Sequence, residues 1–146
     1  MLSQSIDAID LRILDILRDD ARISWRDLGQ QVHLSSTSAA DRVRSLERRG
    51  LIVGYQTKIS PLAFGRDLRA VIDVGLPPTM SPDDFESLLL QRPEVAFAAY
   101  LSGKADYTVV VDCIGAGGLD QFIRWLKTTA GVASTESKLA LRSLVG

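Results

Sequence analysis

Four arginines, Arg42, Arg44, Arg48 and Arg49, fall in a stretch of eight residues just after the hydroxyl run Ser35, Ser36, Thr37 and Ser38. These types recognise rather than transform. A guanidinium matches a phosphate or the acceptor edge of a guanine, and a hydroxyl exchanges a hydrogen bond with either. Side chains suited to catalysis are scarce. The single cysteine, Cys113, excludes an intramolecular disulfide and a multi-cysteine zinc site, and the single histidine, His33, leaves little for metal binding or a catalytic triad. Cys113 follows an alternating apolar run with no basic partner nearby and reads as a small core residue. His33 reads as a turn residue, and Trp25 and Trp125 as partly buried or interface residues. No catalytic residue, metal site or cofactor is expected.

Placed on a helix with Ala39, Val43 and Leu46 inward, 100° per residue sends Thr37, Asp41, Arg44, Ser45 and Arg48 to the opposite side. Arg42 and Arg49 then flank the core. Thr37, Ser38, Asp41 and Arg44 are candidates to read base edges in a DNA major groove. Arg42, Arg48, Arg49 and Lys58 are candidates for phosphates, and Ser36 and Ser45 complete the DNA-binding set. A solvated charged helix face has the same pattern, and a plain capping segment the same serines. The surrounding elements must decide.

Ile6, Ile9, Ile13, Ile16 and Leu17 recur at helical spacing, and the Asp19–Asp20 pair interrupts the stripe. Ser24 with Asp27 three residues on, flanked by Ile23 and Leu28, starts a second helix with a cap and a hydrophobic staple. Ser35 opens the third, and Gly50 suits the left-handed position that ends it. Residues 51–59 are β-rich around Gly54 and predict a short two-stranded wing. Three helices and a wing make a winged helix-turn-helix, for which we assign residues 1–60. The Pro- and Gly-bearing stretch 60–65 marks the junction.

Residues 61–146 alternate strand and helix signals. A strand is expected over 68–76. Ser81, Pro82, Asp83 and Asp84 then start a helix with buried Phe85, Leu88 and Leu89. Val95, Phe97, Ala99 and Leu101 alternate as a strand, and residues 102–106 turn it into a second at 107–112. Gly115 to Gly118 precede a helix marked by Leu119, Phe122, Ile123 and Leu126, and a last strand covers 134–141. The order βαββαβ is ferredoxin-like, so the fold class is α+β.

Composition bounds the rest. With 46% hydrophobic and 24% charged residues the 146-residue chain is expected to fold. No apolar run approaches the roughly 20 residues of a membrane span. The N-terminus lacks a signal-peptide pattern, which places the chain in the cytoplasm. Net charge is -1. Nucleic-acid affinity must therefore come from a local basic face, doubled by assembly.

Ile6-Asp7, Asp10, Ile13-Leu14, Asp20-Ala21-Arg22-Ile23-Ser24, Leu28, Val32, Leu34-Ser35, Val43, Leu46-Glu47, Gly50, Ile52 and Gly54-Tyr55 stand in the order of the Lrp/AsnC winged-helix signature. Pro93-Glu94-Val95, Ser102-Gly103, Asp106-Tyr107 and Gly131-Val132 continue the likeness, so nearly the whole chain resembles that feast/famine family of regulators. Two positions depart from the pattern. Asp41 stands where a basic residue is common, and His33 where glycine is usual.

The resemblance implies a one-component switch. The first module would bind double-stranded DNA, while the second would assemble homodimers into tetramers or octamers and sense an amino acid or related metabolite. It also implies an effector loop at Ser102, Gly103, Lys104, Asp106 and Tyr107. Asp106 would meet the ligand ammonium, and the Gly103 and Lys104 N–H groups its carboxylate. Tyr100, Thr135 and Ser137 are further lining candidates. A plain β-turn explains the same loop residues. Two other functions stay open: a tetrapyrrole decarboxylase related to the family, against which the histidine-free second module counts, and a sensor that has lost DNA binding, which Asp41 would suit.

Overall fold

The computed structural model describes residues 5–144, which form two compact units divided between Lys58 and Ile59. The first holds three helices: α1 (Ala8–Asp19), α2 (Trp25–Val32) and α3 (Ser36–Arg48). Asp7 caps α1 by accepting the Asp10 N–H at 2.7 Å. Ile13, Leu28, Ala39, Val43 and Leu46 are fully buried in one core. Burying each large side chain contributes about 1.5–3 kcal/mol, so this small cluster holds the unit together. Ile6 lies ahead of the α1 cap and stays 39% exposed, outside the stripe expected to include it.

The wing differs from expectation, because residues 51–59 form no strand in this chain. A two-stranded hairpin with no further strand beside it is marginally stable at best in water. The segment is held at its start by the Leu51 and Ile52 N–H groups, which donate to the Leu46 carbonyl, and beyond that by side chains. Ile52 packs on the helical core, and the Tyr55 hydroxyl donates to Glu47 Oε1 at 2.8 Å.

The second unit runs from a 3-10 turn at Pro61–Phe64 through β1 (Leu68–Gly75), α4 (Pro82–Leu89), β2 (Val95–Tyr100), β3 (Tyr107–Cys113), α5 (Gly115–Thr128) and β4 (Ser134–Leu139). The sheet order is β2-β3-β1-β4 with every neighbour antiparallel, the expected βαββαβ arrangement. Alternation puts Ala70, Ile72 and Val74 of β1 and Tyr107, Val109, Val111 and Cys113 of β3 on one face. That face is buried with Phe85 and Leu89 of α4 and Leu119, Phe122 and Leu126 of α5. The opposite face carries Val71, Val110, Ala99 and Phe97, the last 56% exposed. It is flanked by the ion pairs Arg69–Asp112 and Asp73–Lys138.

α4 starts where the sequence reading puts it, with Ser81 at the N-cap position and Pro82, Asp83 and Asp84 in the first turn, although the Ser81 hydroxyl makes no capping hydrogen bond. The start of α5 differs. Residues 115–118 form the first turn of α5 rather than a loop. There the Gly115 N–H donates to Asp67 Oδ1 at 2.8 Å, which satisfies a donor that the helix leaves free.

Candidate nucleic-acid interface and effector cleft

The geometry of α3 is set before its polar face is reached. Ser24 Oγ accepts the Asp27 N–H at 3.1 Å and donates to Asp27 Oδ2 at 2.7 Å, fixing the start of α2. His33 ends α2 in the left-handed region, with φ 57 and ψ 41. At once Ser35 Oγ accepts the Ser38 N–H at 3.1 Å to open α3. The turn is tight. A Cβ on Gly29 would lie 2.7 Å from the Leu34 carbonyl oxygen, so only glycine lets the chain pass this close. At the far end Gly50 has φ 70, its N–H donates to the Glu47 carbonyl, and the Leu51 N–H donates to that of Leu46. This is the Schellman arrangement, which fixes where α3 stops.

With Ala39, Val43 and Leu46 inward, Ser36, Thr37, Ser38, Asp41, Arg44 and Arg48 are exposed and Ser45 is half-buried. Arg44 Nη1 lies 3.0 Å from Asp41 Oδ1, one turn back along the same face. Arg48 has no ion-pair partner among the described residues. Lys58 is exposed in the segment after the helices.

Arg42 and Arg49 are placed differently from the sequence expectation of phosphate contacts. Arg42 Nη1 reaches Asp7 Oδ2 at 2.5 Å and Asp10 Oδ1 at 2.9 Å, while Arg49 Nη1 reaches Asp10 Oδ2 at 3.5 Å. The two carboxylates hold Arg42 even more firmly protonated than usual. The Asp10 N–H, and then Arg42, hold Asp7 below its ordinary range. Sequence spacing put both arginines beside the core but did not name Asp10 as their partner. The available signal was Asp10 itself, a carboxylate at the edge of an apolar stripe.

The effector candidates separate in the same way. Lys104 and Thr135 line a cleft of about 280 Å³ with Asp73, Ser134 and Glu136. Ser102, Gly103 and Ser137 are exposed and do not line it. Tyr100 is exposed, its ring 4.9 Å from that of Tyr107. Tyr107 points into the core, 2% exposed, and donates to Glu86 Oε1 at 2.6 Å. Burial and that bond push its hydroxyl well above the usual range. Asp106 Oδ2 accepts the Leu76 N–H at 2.6 Å, and its own N–H donates to the Val74 carbonyl, latching the hairpin to β1.

Asp73 and Glu136 were missed by sequence reasoning. Asp73 is the carboxylate in the apolar strand Leu68–Gly75, a visible signal. Lys138 Nζ lies 2.7 Å from Asp73 and 3.7 Å from Glu136. Its hydrogen bond holds the Asp73 carboxyl below the ordinary range. The cleft thus offers both signs of charge and hydroxyls. Cys113 is buried in the core, and burial pushes its thiol up.

A helix pair that presents a capped, outward-facing polar helix, and a ferredoxin-like module bearing a charged cleft, are the parts of a DNA-binding regulator with its own ligand-binding module, the class that the family models match. Residues 6–53 match the winged helix-turn-helix DNA-binding family model, and residues 69–146 match the Lrp/AsnC ligand binding domain. The Bkd operon transcriptional regulator of Pseudomonas aeruginosa is 34% identical over 143 residues, covering 96% of this chain and 94% of that protein. The feast or famine regulatory protein of Mycobacterium tuberculosis, solved with L-methionine, matches with a TM-score of 0.89 at 30% identity, covering 97% of this chain and 96% of that one. A transcriptional regulator of Neisseria meningitidis, also solved with L-methionine, matches with a TM-score of 0.91 at 25% identity, covering 97% and 94%. This chain belongs to the Lrp/AsnC family of transcriptional regulators. Among the described residues no helix is long and apolar enough to cross a membrane.

Proposed function

We propose that this chain acts as a cytoplasmic regulator rather than an enzyme. In this reading α3 reads operator DNA, and an amino acid or close relative binds at the cleft between β1, β4 and the 102–106 hairpin. The observation that carries it is the outward face of α3. Thr37, Asp41, Arg44 and Arg48 are exposed together on a helix whose back is fully buried and whose two ends are capped. N-terminal side chains of such a helix reach base edges, and arginines further along reach guanine or phosphate. Arg42 and Arg49 act from behind, through Asp7 and Asp10.

A free amino acid brings one ammonium and one carboxylate. Lys104 is the cation that receives the carboxylate, and Glu136 and Asp73 are the anions that receive the ammonium. Asp106 shapes the hairpin, its carboxylate accepting the Leu76 N–H, and it does not line the cleft. The L-methionine complexes of the two relatives support this ligand class. The sheet face bearing Phe97, Val110, Val71 and Ala99 suits a second copy, and a homodimer would place two α3 helices on half-sites about 34 Å apart. Tetramers or octamers would pair such dimers.

The test is selection of genome fragments by the purified chain, with and without a pool of the common amino acids. A two-fold-symmetric motif whose occupancy changes with the pool supports the reading. Absence of enrichment under every condition contradicts it.

A further inference from the structure

Asp10 is 6% exposed, and together with Asp112 it makes up the buried polar and charged residues among those described. Its two carboxylate oxygens go to different arginines, Oδ1 to Arg42 within α3 at 2.9 Å and Oδ2 to Arg49 at its C-cap at 3.5 Å. Those arginines are seven positions apart, about two helical turns. Asp10 is itself fixed, because its N–H donates to the capping carboxylate of Asp7, which also receives Arg42.

We propose that Asp10 is a positioning residue for DNA reading: by holding Arg42 and Arg49 it sets the rotation of α3 about its own axis, and so decides which outward side chains face the bases. The proposal rests on α3 being the reading helix. Among the described residues α3 is also held by the apolar packing of Ala39, Val43 and Leu46, by Arg42 on Asp7 and by the Tyr55 hydroxyl on Glu47. Apolar contact is non-directional and tolerates a small roll. One carboxylate bound to two points along one flank opposes both rolling and sliding. The side-chain tips lie about 5 Å from the helix axis, so a roll of about 20° moves them by about 2 Å. Hydrogen bonds to base edges do not survive such a shift, whereas attraction to phosphates does.

Asp10→Asn keeps the shape and removes the charge. The test uses the full chain, one site recovered by fragment selection and a scrambled version of that site, with affinities measured from 50 to 200 mM salt. The expected result for D10N is a loss of about tenfold in the preference for the selected site, with scrambled-site affinity and its salt slope undiminished. Simple destabilisation would lower both affinities in parallel, and that outcome in a folded D10N overturns the proposal, as does a parental preference. If circular dichroism shows D10N unfolded, Arg49→Met decides. A fall in preference of threefold or more with scrambled-site affinity retained supports the clamp, and anything less, or an equal loss at both sites, overturns it. A parent chain without preference overturns the DNA-reading function and this proposal with it.

Discussion

Arg44 Nη1 and Asp41 Oδ1 lie 3.0 Å apart on the outward face of α3, both side chains more than half exposed. An exposed pair of this kind contributes at most about 1 kcal/mol to folding, so it is available for rearrangement on DNA. Arg44→Ala is expected to cost about 1–3 kcal/mol of binding at a selected site and to relax preference at one base position. Asp41→Ala is expected to leave stability unchanged and tighten binding to scrambled DNA at low salt, because a negative charge leaves the phosphate-facing side. Filter or anisotropy titrations of both variants against a panel of single-base site variants check this.

The cleft makes a separable prediction. Lys104→Ala and Glu136→Gln are expected to weaken the effect of an amino-acid pool on DNA occupancy at least tenfold while leaving ligand-free binding at the parental level. Asp106→Asn is expected to lower stability by about 1 kcal/mol, the difference between a hydrogen bond to a charged and to a neutral acceptor, because it weakens the bond that Asp106 accepts from the Leu76 N–H. Urea unfolding separates the two kinds of variant.

His33 and Gly29 form a pair of opposite expectations in the helix-turn-helix. His33 holds a left-handed conformation that costs an L-residue about 1–2 kcal/mol. His33→Gly is expected to raise stability by about 0.5–1 kcal/mol, since the looser unfolded chain offsets part of the relief. Gly29→Ala drives a methyl against the Leu34 carbonyl and is expected to cost about 1–3 kcal/mol. Thermal melts of the two variants should move in opposite directions.

Tyr55 provides a pH test of how residues 51–59 are held. Burial first, and the hydrogen bond to Glu47 second, push its hydroxyl from 10.0 to about 12. A raised folded-state value means that this contribution is fully present below the unfolded value of 10.0 and is lost as pH rises through about 12. Tyr55→Phe should therefore show a flatter alkaline decline of stability over pH 10–12 than the parent, by chemical unfolding at stepped pH. Identical profiles would show that the bond to Glu47 does not hold the segment.

Much of this architecture is legible in the residues, for local reasons. Ser24, Ser35 and Gly50 announce helix ends because a hydroxyl before an apolar repeat and a glycine after one each satisfy orphan backbone groups. The alternation in β1 and β3 separates two faces because strand geometry has a period of two. What escaped depends on partners distant in sequence. Arg42 and Arg49 sit at the border of the apolar stripe, where spacing alone cannot tell a phosphate contact from a bond to Asp10, 32 and 39 residues away. Tyr107 follows the hairpin turn and looked like a lining residue, yet its strand phase sends it inward against Phe85, ring centroids 4.9 Å apart. Residues 51–59 had strand composition without a partner strand in the same chain. The cleft pairs β1 with β4, and its Asp73 and Glu136 become neighbours only through the sheet register.

The central claim is that the outward face of α3 reads sequence. The measurement that tests it most directly is the ratio of affinities for a selected site and its scrambled version, at one stated salt concentration, for the parent chain and Arg44→Ala. The account predicts a parental ratio of about a thousandfold or more, reduced at least tenfold by Arg44→Ala with scrambled-site affinity little changed. A parental chain that binds both DNAs equally, or an Arg44→Ala variant with the parental ratio, would contradict it.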